Sequence, residues 1–227
     1  MALLLSIDTA TSVCSIALHN DGKLIADQSL HLDQSHSTLL VPSIDTLLNY
    51  CQYSLNDLNG IVISMGPGSY TGLRIGTSTA KGLCYSLDIP LVSVNTLEAM
   101  ALQVIAATPQ GEYFCPMIDA RRMEVYTTMV DYNMNIIFPT RPEIVDETSF
   151  SDILKEKRVA FFGNGAEKCK KVINGENAYF IDNVAANASS VGVLGYEKYK
   201  KGEVENAAYF EPFYLKEFRA TKPKKLQ

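Results

Sequence analysis

The stretch Gly60-Ile61-Val62-Ile63-Ser64-Met65-Gly66-Pro67-Gly68-Ser69-Tyr70-Thr71-Gly72-Leu73-Arg74-Ile75-Gly76 decides the fold. Residues 60–65 are an apolar run of strand length, the type buried on both faces of a sheet. Gly66-Pro67-Gly68 then breaks the chain, and Gly66 and Gly68 are expected to form a tight structural turn. A helix is predicted over 71–87, and its only charges are Arg74 and Lys81. Gly68, Gly72, Gly76, Ala80 and Cys84 recur every four residues. That spacing lines small side chains along one ridge, onto which another backbone can close. An ordinary surface helix carries a continuous polar face. This one calls for neighbours on two sides, which reads first as an assembly surface and second as a catalytic site.

Working outward, residues 3–8 read as a buried strand, 13–19 as a second and 23–32 as a third, with Asp21-Gly22 as a hairpin turn. Ser35 or Ser37 can cap a helix reaching about residue 53, with Pro42 expected to kink or loosen it. A strand over 90–94 and a helix from Asn95 or Thr96 to about 107 follow. The order β-β-β-α-β-α-β-α implies a mixed sheet covered by helices. Thr108-Pro109-Gln110-Gly111 marks a boundary between an N-terminal lobe, 1–107, and a second lobe, 108–219. Strands over 113–118, 124–132, 136–145, 159–162 and 179–181 and helices over 149–155, 166–173 and 189–201 partly repeat the first rhythm. Both openings read strand, Asp (Asp8 or Asp119), turn, strand, strand, which suggests a duplication. Residues 203–217 show no period, and 220–227 read as a disordered basic tail.

With 227 residues and 47% hydrophobic content, the chain is a soluble globular protein of one or two domains. No apolar run approaches the length of a membrane span. The opening Met-Ala-Leu-Leu-Leu-Ser-Ile lacks a basic segment and reads as a strand rather than a signal peptide. The five cysteines are scattered and fit neither a disulfide framework nor a zinc pattern, as expected for a cytoplasmic protein. The net charge of −5 lies entirely in residues 1–105, where three basic side chains face eight acidic ones. That half is a poor nucleic-acid platform. Small lysine clusters at 168–171, 198–201 and 222–225 read as solvated faces, with a weak RNA contact as the sharper alternative.

Each candidate site has a plain reading beside the functional one. The glycine loop opens a helix and could hold a phosphate. It matches neither the dinucleotide fingerprint nor the Walker loop, so a packing turn is the plainer account. Asp8, Thr9 and Thr11, with Asp119 at the matching place, could orient a metal-bound phosphate between lobes, or be ordinary turn residues. Arg121 and Arg122 could simply pair with Asp119. His31 and His36 are wrongly spaced for a metal on one helix face. Nothing in the sequence supplies a catalytic nucleophile. The helix from His36 carries only Asp45 as a charge, and Leu40, Ile44, Leu47 and Cys51 form one apolar face with Leu39, Val41 and Tyr50 widening it. Two consecutive helices thus lack polar faces, which is what the core of a stable interface requires.

The stretch 66–76 resembles the signature of the TsaB (YeaZ) family. So do Ile7-Asp8-Thr9-Ala10-Thr11, His36-Ser37 with Leu39-Leu40-Val41-Pro42-Ser43-Ile44, Val94 with Thr96-Leu97-Glu98-Ala99, and Ile118-Asp119-Ala120-Arg121-Arg122 with Glu124-Val125-Tyr126. Pro212 with Tyr214-Leu215 fits the family's closing pattern. The resemblance is strong over 3–126 and thin beyond. It implies a two-lobed actin-like, Hsp70-like (ASKHA, ribonuclease H-like) α/β fold and a bacterial, cytoplasmic role in making N6-threonylcarbamoyladenosine at position 37 of tRNA. The family's member is similar to the catalytic subunit TsaD but is itself regarded as non-catalytic. It docks on TsaD and on itself through the two N-terminal helices, and the ATPase TsaE joins the complex. TsaD-type catalysis uses two histidines of a His-x-x-x-His helix. Here Leu40 and Val41 stand where a second one would follow His36.

These observations together predict a scaffold subunit that activates TsaD. Its expected partner and dimer surface comprises His36, Leu40, Val41, Ile44, Leu47, Cys51, Gly72, Leu73, Gly76, Thr77, Ala80, Lys81 and Cys84. Asp8, Thr9, Thr11 and Asp119 would be a vestigial phosphate site. No intrinsic cofactor or metal is expected, a nucleotide would bind only in the complex, and tRNA contact would be indirect or weak. Two rival readings stay open, a sugar-kinase-like ATPase using Asp8 and Asp119, and a glycoprotease-like metallopeptidase.

Overall fold

A computed structural model describes residues 1–32, 36–108 and 112–216. The first lobe opens with β1 (Leu3–Asp8), β2 (Cys14–Asn20) and β3 (Lys23–Leu30), followed by α1 (His36–Tyr50), β4 (Gly60–Gly66), α2 (Tyr70–Leu87), β5 (Leu91–Asn95) and α3 (Thr96–Ile105). The second half runs β6 (Tyr113–Asp119), β7 (Glu124–Asp131), β8 (Ile136–Ile144), α4 (Ser151–Glu156), β9 (Val159–Phe162), α5 (Ala166–Cys169), β10 (Ala178–Ile181) and α6 (Ala188–Lys200).

The strands form two five-stranded sheets, ordered β3-β2-β1-β4-β5 and β10-β9-β6-β7-β8. Read from opposite ends, they have the same topology. In each, the central strand is antiparallel to its hairpin partner and parallel to the strand after a crossover. Asp8 faces Ser15 and Asp119 faces Val125 in the last pair before each hairpin. The duplication suggested by the sequence is thus present in the architecture, a two-lobed actin-like arrangement. Asp21 and Gly22 both take positive φ, which lets the first β-hairpin turn tightly with the twist of its strands.

Strand alternation assigns the layers. Leu3, Leu5 and Ile7 of β1 point to the face covered by α1 and α2, where they join Leu40, Ile44, Leu47, Ala80 and Cys84. Leu4, Val62, Val92 and Val94 point to the opposite face, under α6 and α3. Phe114, Ile118, Val130 and Phe162 of the second sheet pack on the far side of α3, so that helix lies between the sheets. The remaining face of the second sheet holds Met117, Phe161 and Leu154.

The sequence places α6 in the second lobe, yet it packs on the first sheet. A Cβ at Gly192 would strike the His19 ring, and one at Gly195 would strike Val62. Residues 203–216 have no period because they follow other elements instead of repeating themselves. Glu205 pairs with Leu91, Lys81 Nζ donates to the Ala208 and Phe210 carbonyls, and the Phe213 N–H donates to the Met65 carbonyl. Lys216 then reaches Glu124 of β7, so this strap ties the edge of the first sheet to the second. Pro42 lies inside a continuous α1 on its exposed side, and no break occurs there. The expected cap Ser35, the boundary residues 109–111 and the tail 220–227 lie outside the described residues. Among the described residues no helix is long and apolar enough to cross a membrane.

Candidate functional site

The glycine ridge faces inward. The Ser69 N–H donates to the Ala10 carbonyl at 2.6 Å, and Thr9 Oγ1 donates to the Gly72 carbonyl at 2.7 Å. A Cβ on Gly68 would collide with Ala10, one on Gly72 with the Thr9 carbonyl, and one on Gly76 with Thr9 Oγ1. The small side chains therefore let the first turns of α2 close onto the β1–β2 hairpin of the same chain. Ser69 caps α2 by accepting from the Gly72 N–H at 3.3 Å. His36 completes this junction, its Nε2–H donating to the Thr11 carbonyl at 2.8 Å and pinning the start of α1 to the same hairpin.

Burial divides the residues expected at the partner surface. Of its residues, Val41 alone is exposed and Cys51 and Lys81 are half-buried. His36, Leu40, Ile44, Leu47, Gly72, Leu73, Gly76, Thr77, Ala80 and Cys84 are buried in their own chain. The sequence registered a close approach in the ridge, but the approaching backbone is Thr9-Ala10 and not a second polypeptide.

What remains free is the outer side of both helices. Val41 is 59% exposed, Tyr50 83% and Tyr85 91%. Around them lie Ser37, Thr46, Asn49, Thr71, Ser78 and Gly82, with Asp45 and Arg74 as the only exposed charges of the two helices. Small uncharged side chains between large apolar ones make a surface that is cheap to desolvate.

The acids at the strand ends have different settings. Asp8 is fully buried beneath the hairpin and α2. Burial pushes its carboxyl up to about 6, while the Ala10 N–H, the Ser64 hydroxyl and the His36 charge pull the other way. Thr9 and Thr11 are buried beside it. Asp119 is half-exposed and ion-paired with Lys168, and it accepts from the Arg121 N–H at 3.2 Å. The pairing of Asp119 with Arg121 and Arg122 side chains that the sequence allowed is not made. An interlobe cleft of about 530 Å³ is lined by Thr11, Ser12, His31, Asn164, Glu167 and Asp182, but by neither Asp8 nor Asp119. In this arrangement Asp8 is closed off by burial and Asp119 is held by Lys168. Among the described residues no three His, Cys, Asp or Glu side chains stand close enough to hold a metal.

The lysine clusters are largely spoken for. Lys168 pairs with Asp119, Lys170 with Glu167 and Asp182, and Lys200 with Glu197. Lys198 donates to the Ser93 carbonyl. Sequence reading could not see these partners, because they come from other elements or depend on side-chain direction.

The family model described as "TsaD: tRNA N6-adenosine threonylcarbamoyltransferase" matches residues 30–223. The chain is 37% identical over 177 residues to the tRNA threonylcarbamoyladenosine biosynthesis protein TsaB of Bacillus subtilis (strain 168), spanning 75% of this chain and 74% of that one. Among solved structures, a Pseudomonas aeruginosa protein described as similar to peptidase YEAZ superposes with TM-score 0.83 at 24% identity, covering 95% of this chain and 100% of the other. The activator of 2-hydroxyisocaproyl-CoA dehydratase from Clostridium difficile, solved with ADPNP, superposes with TM-score 0.52 at 11% identity, over 90% of this chain and 98% of that one. These last two likenesses concern the fold alone.

Proposed function

The chain belongs to the TsaB (YeaZ) family of tRNA threonylcarbamoyladenosine biosynthesis proteins, within the wider TsaD-type family, and from that premise we propose that it serves tRNA N6-threonylcarbamoyladenosine synthesis as a non-catalytic subunit. In this reading it docks on a TsaD-type catalytic partner and holds it in its active shape, with TsaE as a further component. The protein would work in the cytoplasm, bring no cofactor of its own, and meet a nucleotide only in the assembled complex.

One observation carries the proposal. The inner faces of α1 and α2 are sealed on their own sheet, yet their outer faces offer Val41, Tyr50 and Tyr85 among small uncharged side chains. Two such helices form half of a four-helix bundle, and a homologous fold presents two equivalent helices to complete it. A second copy of this chain would fit the same surface when the catalytic partner is absent. Burial of Asp8 argues against a kinase-like phosphate transfer in this chain.

The test is reconstitution. With purified TsaD and TsaE, tRNA, threonine, bicarbonate, ATP with magnesium and the donor-forming enzyme, modified adenosine should accumulate only when this chain is present. Equal product without it would overturn the proposal.

A further inference from the structure

We propose that the β6–β7 turn, through Arg121 and Arg122, is an anchor for the phosphate backbone of RNA. This rests on the preceding reading that the chain works on tRNA modification, and it names a direct contact of this chain with the nucleic acid.

Both arginines take positive φ, 73° for Arg121 and 49° for Arg122. Glycine or asparagine would occupy such a turn with less strain. Strain retained in an exposed turn calls for a role of the side chains. Both are exposed, and among the described residues neither forms an ion pair. The acids on either side of the turn are already occupied, Asp119 by Lys168 and Glu124 by Lys216. Two lysines from distant parts of the chain thus neutralise the local carboxylates and leave two adjacent guanidinium groups uncompensated, in a protein of net charge −5.

The neighbourhood favours RNA over an acidic protein. Tyr126 follows closely on β7 and lines a shallow hollow with Tyr70, Tyr214, Pro67, Gly68 and Lys216. On the first-lobe side, the Arg74 guanidinium lies 4.2 Å from the Tyr70 ring centroid. Tyr70 also packs on the Tyr214 ring at 4.9 Å, so this cluster contributes a further fixed guanidinium rather than a free stacking face. Guanidinium binds phosphate oxygens through two parallel hydrogen bonds, which a lysine cannot match. Within the lysine clusters Lys168, Lys170 and Lys200 are held in ion pairs, which leaves Lys171 and Lys201 as separated single charges.

The experiment uses the chain assembled with its TsaD partner and an unmodified tRNA transcript, followed by fluorescence anisotropy over a sodium chloride series. The double variant Arg121→Asn, Arg122→Gly removes both charges and supplies residues suited to the turn, so its melting temperature should hold or rise. Its dissociation constant for tRNA should increase about tenfold, and the slope of log K against log salt should shrink by about two, one for each phosphate no longer neutralised. Unchanged affinity and slope would overturn the anchor. So would unchanged tRNA binding with weakened binding of a protein partner, which would assign the turn to an acidic protein surface. Parallel assay of modified adenosine separates the two claims. Synthesis that needs the chain but is indifferent to the variant sinks the anchor alone, whereas synthesis without the chain sinks the functional reading.

Discussion

The same substitution at two glycines of α2 should have opposite effects. Gly72 and Gly82 share one helix, so alanine brings the same intrinsic gain of about 1 kcal/mol at either place. At Gly82 a Cβ meets nothing within 4 Å. Gly82→Ala should therefore stabilise the protein by about 0.5–1 kcal/mol. At Gly72 the new methyl would overlap the Thr9 carbonyl, a backbone atom that cannot rotate away. Overpacking of this kind costs about 1–3 kcal/mol. Moving the helix outward also lengthens the 2.7 Å bond from Thr9 Oγ1 to the Gly72 carbonyl, a further loss of about 1 kcal/mol. After the propensity gain, Gly72→Ala should be destabilised by about 2 kcal/mol. For a chain of this size that lowers the melting temperature by about 4–8 °C, against a rise of about 1–4 °C for Gly82→Ala. Urea titration followed by circular dichroism measures both free energies. If Gly72→Ala proved as stable as Gly82→Ala, the ridge would face open space and the inward packing of α2 would be wrong.

Two other outcomes follow from buried titratable groups. The carboxyl of Asp8 stands at about 6 in the folded protein, above its ordinary unfolded value near 4. The native state therefore binds the extra proton between about pH 4 and 6, and stability should fall as pH rises through that window, by about 3 kcal/mol. Asp8→Asn should remove this fall, and an unaltered pH profile of its unfolding free energy would refute the assignment. Burial also pushes the thiols of Cys115 up to about 12 and of Cys84 and Cys169 up to about 11, whereas Cys51 is half-buried at the end of α1. A colorimetric thiol reagent at pH 8 should label Cys51 quickly and these three only after denaturation. Rapid labelling of all three in the native protein would contradict their burial.

Much of this architecture is legible in the amino-acid order. Buried strands such as residues 60–65 announce themselves by apolar runs, and Asn95 marks the start of α3 by capping it. The shared strand-Asp-turn-strand opening anticipated two lobes with one topology. The ridge of α2 was legible as a close contact, but small side chains record that something approaches and not what. Thr9-Ala10 lies more than fifty residues away in sequence, so only the β1–β4 pairing brings it there. For the same reason the sheet that α6 covers was not legible, because the partners of Gly192 and Gly195, His19 and Val62, are distant in sequence. Pro42 stays within a continuous α1 although it lacks the helix N–H, and its exposed position adds no burial penalty to that loss. The strap over 203–216 was illegible because its hydrogen bonds go to Leu91, Lys81 and Met65, each on a different element. The true outer face of the helix pair could be found only by subtraction, once the inner residues were assigned.

That outer face is what the proposed role depends on most. Titration of purified TsaD into the wild-type chain and into a Val41→Asp, Tyr85→Asp double variant, followed by calorimetry, tests it directly. Both side chains are exposed, so the variant should unfold as the wild type does. Its affinity for TsaD should drop at least about a hundredfold, the loss of about 3 kcal/mol expected from two buried charges in an apolar interface. Binding at wild-type affinity by a folded double variant would contradict the docking of these two helices on a partner.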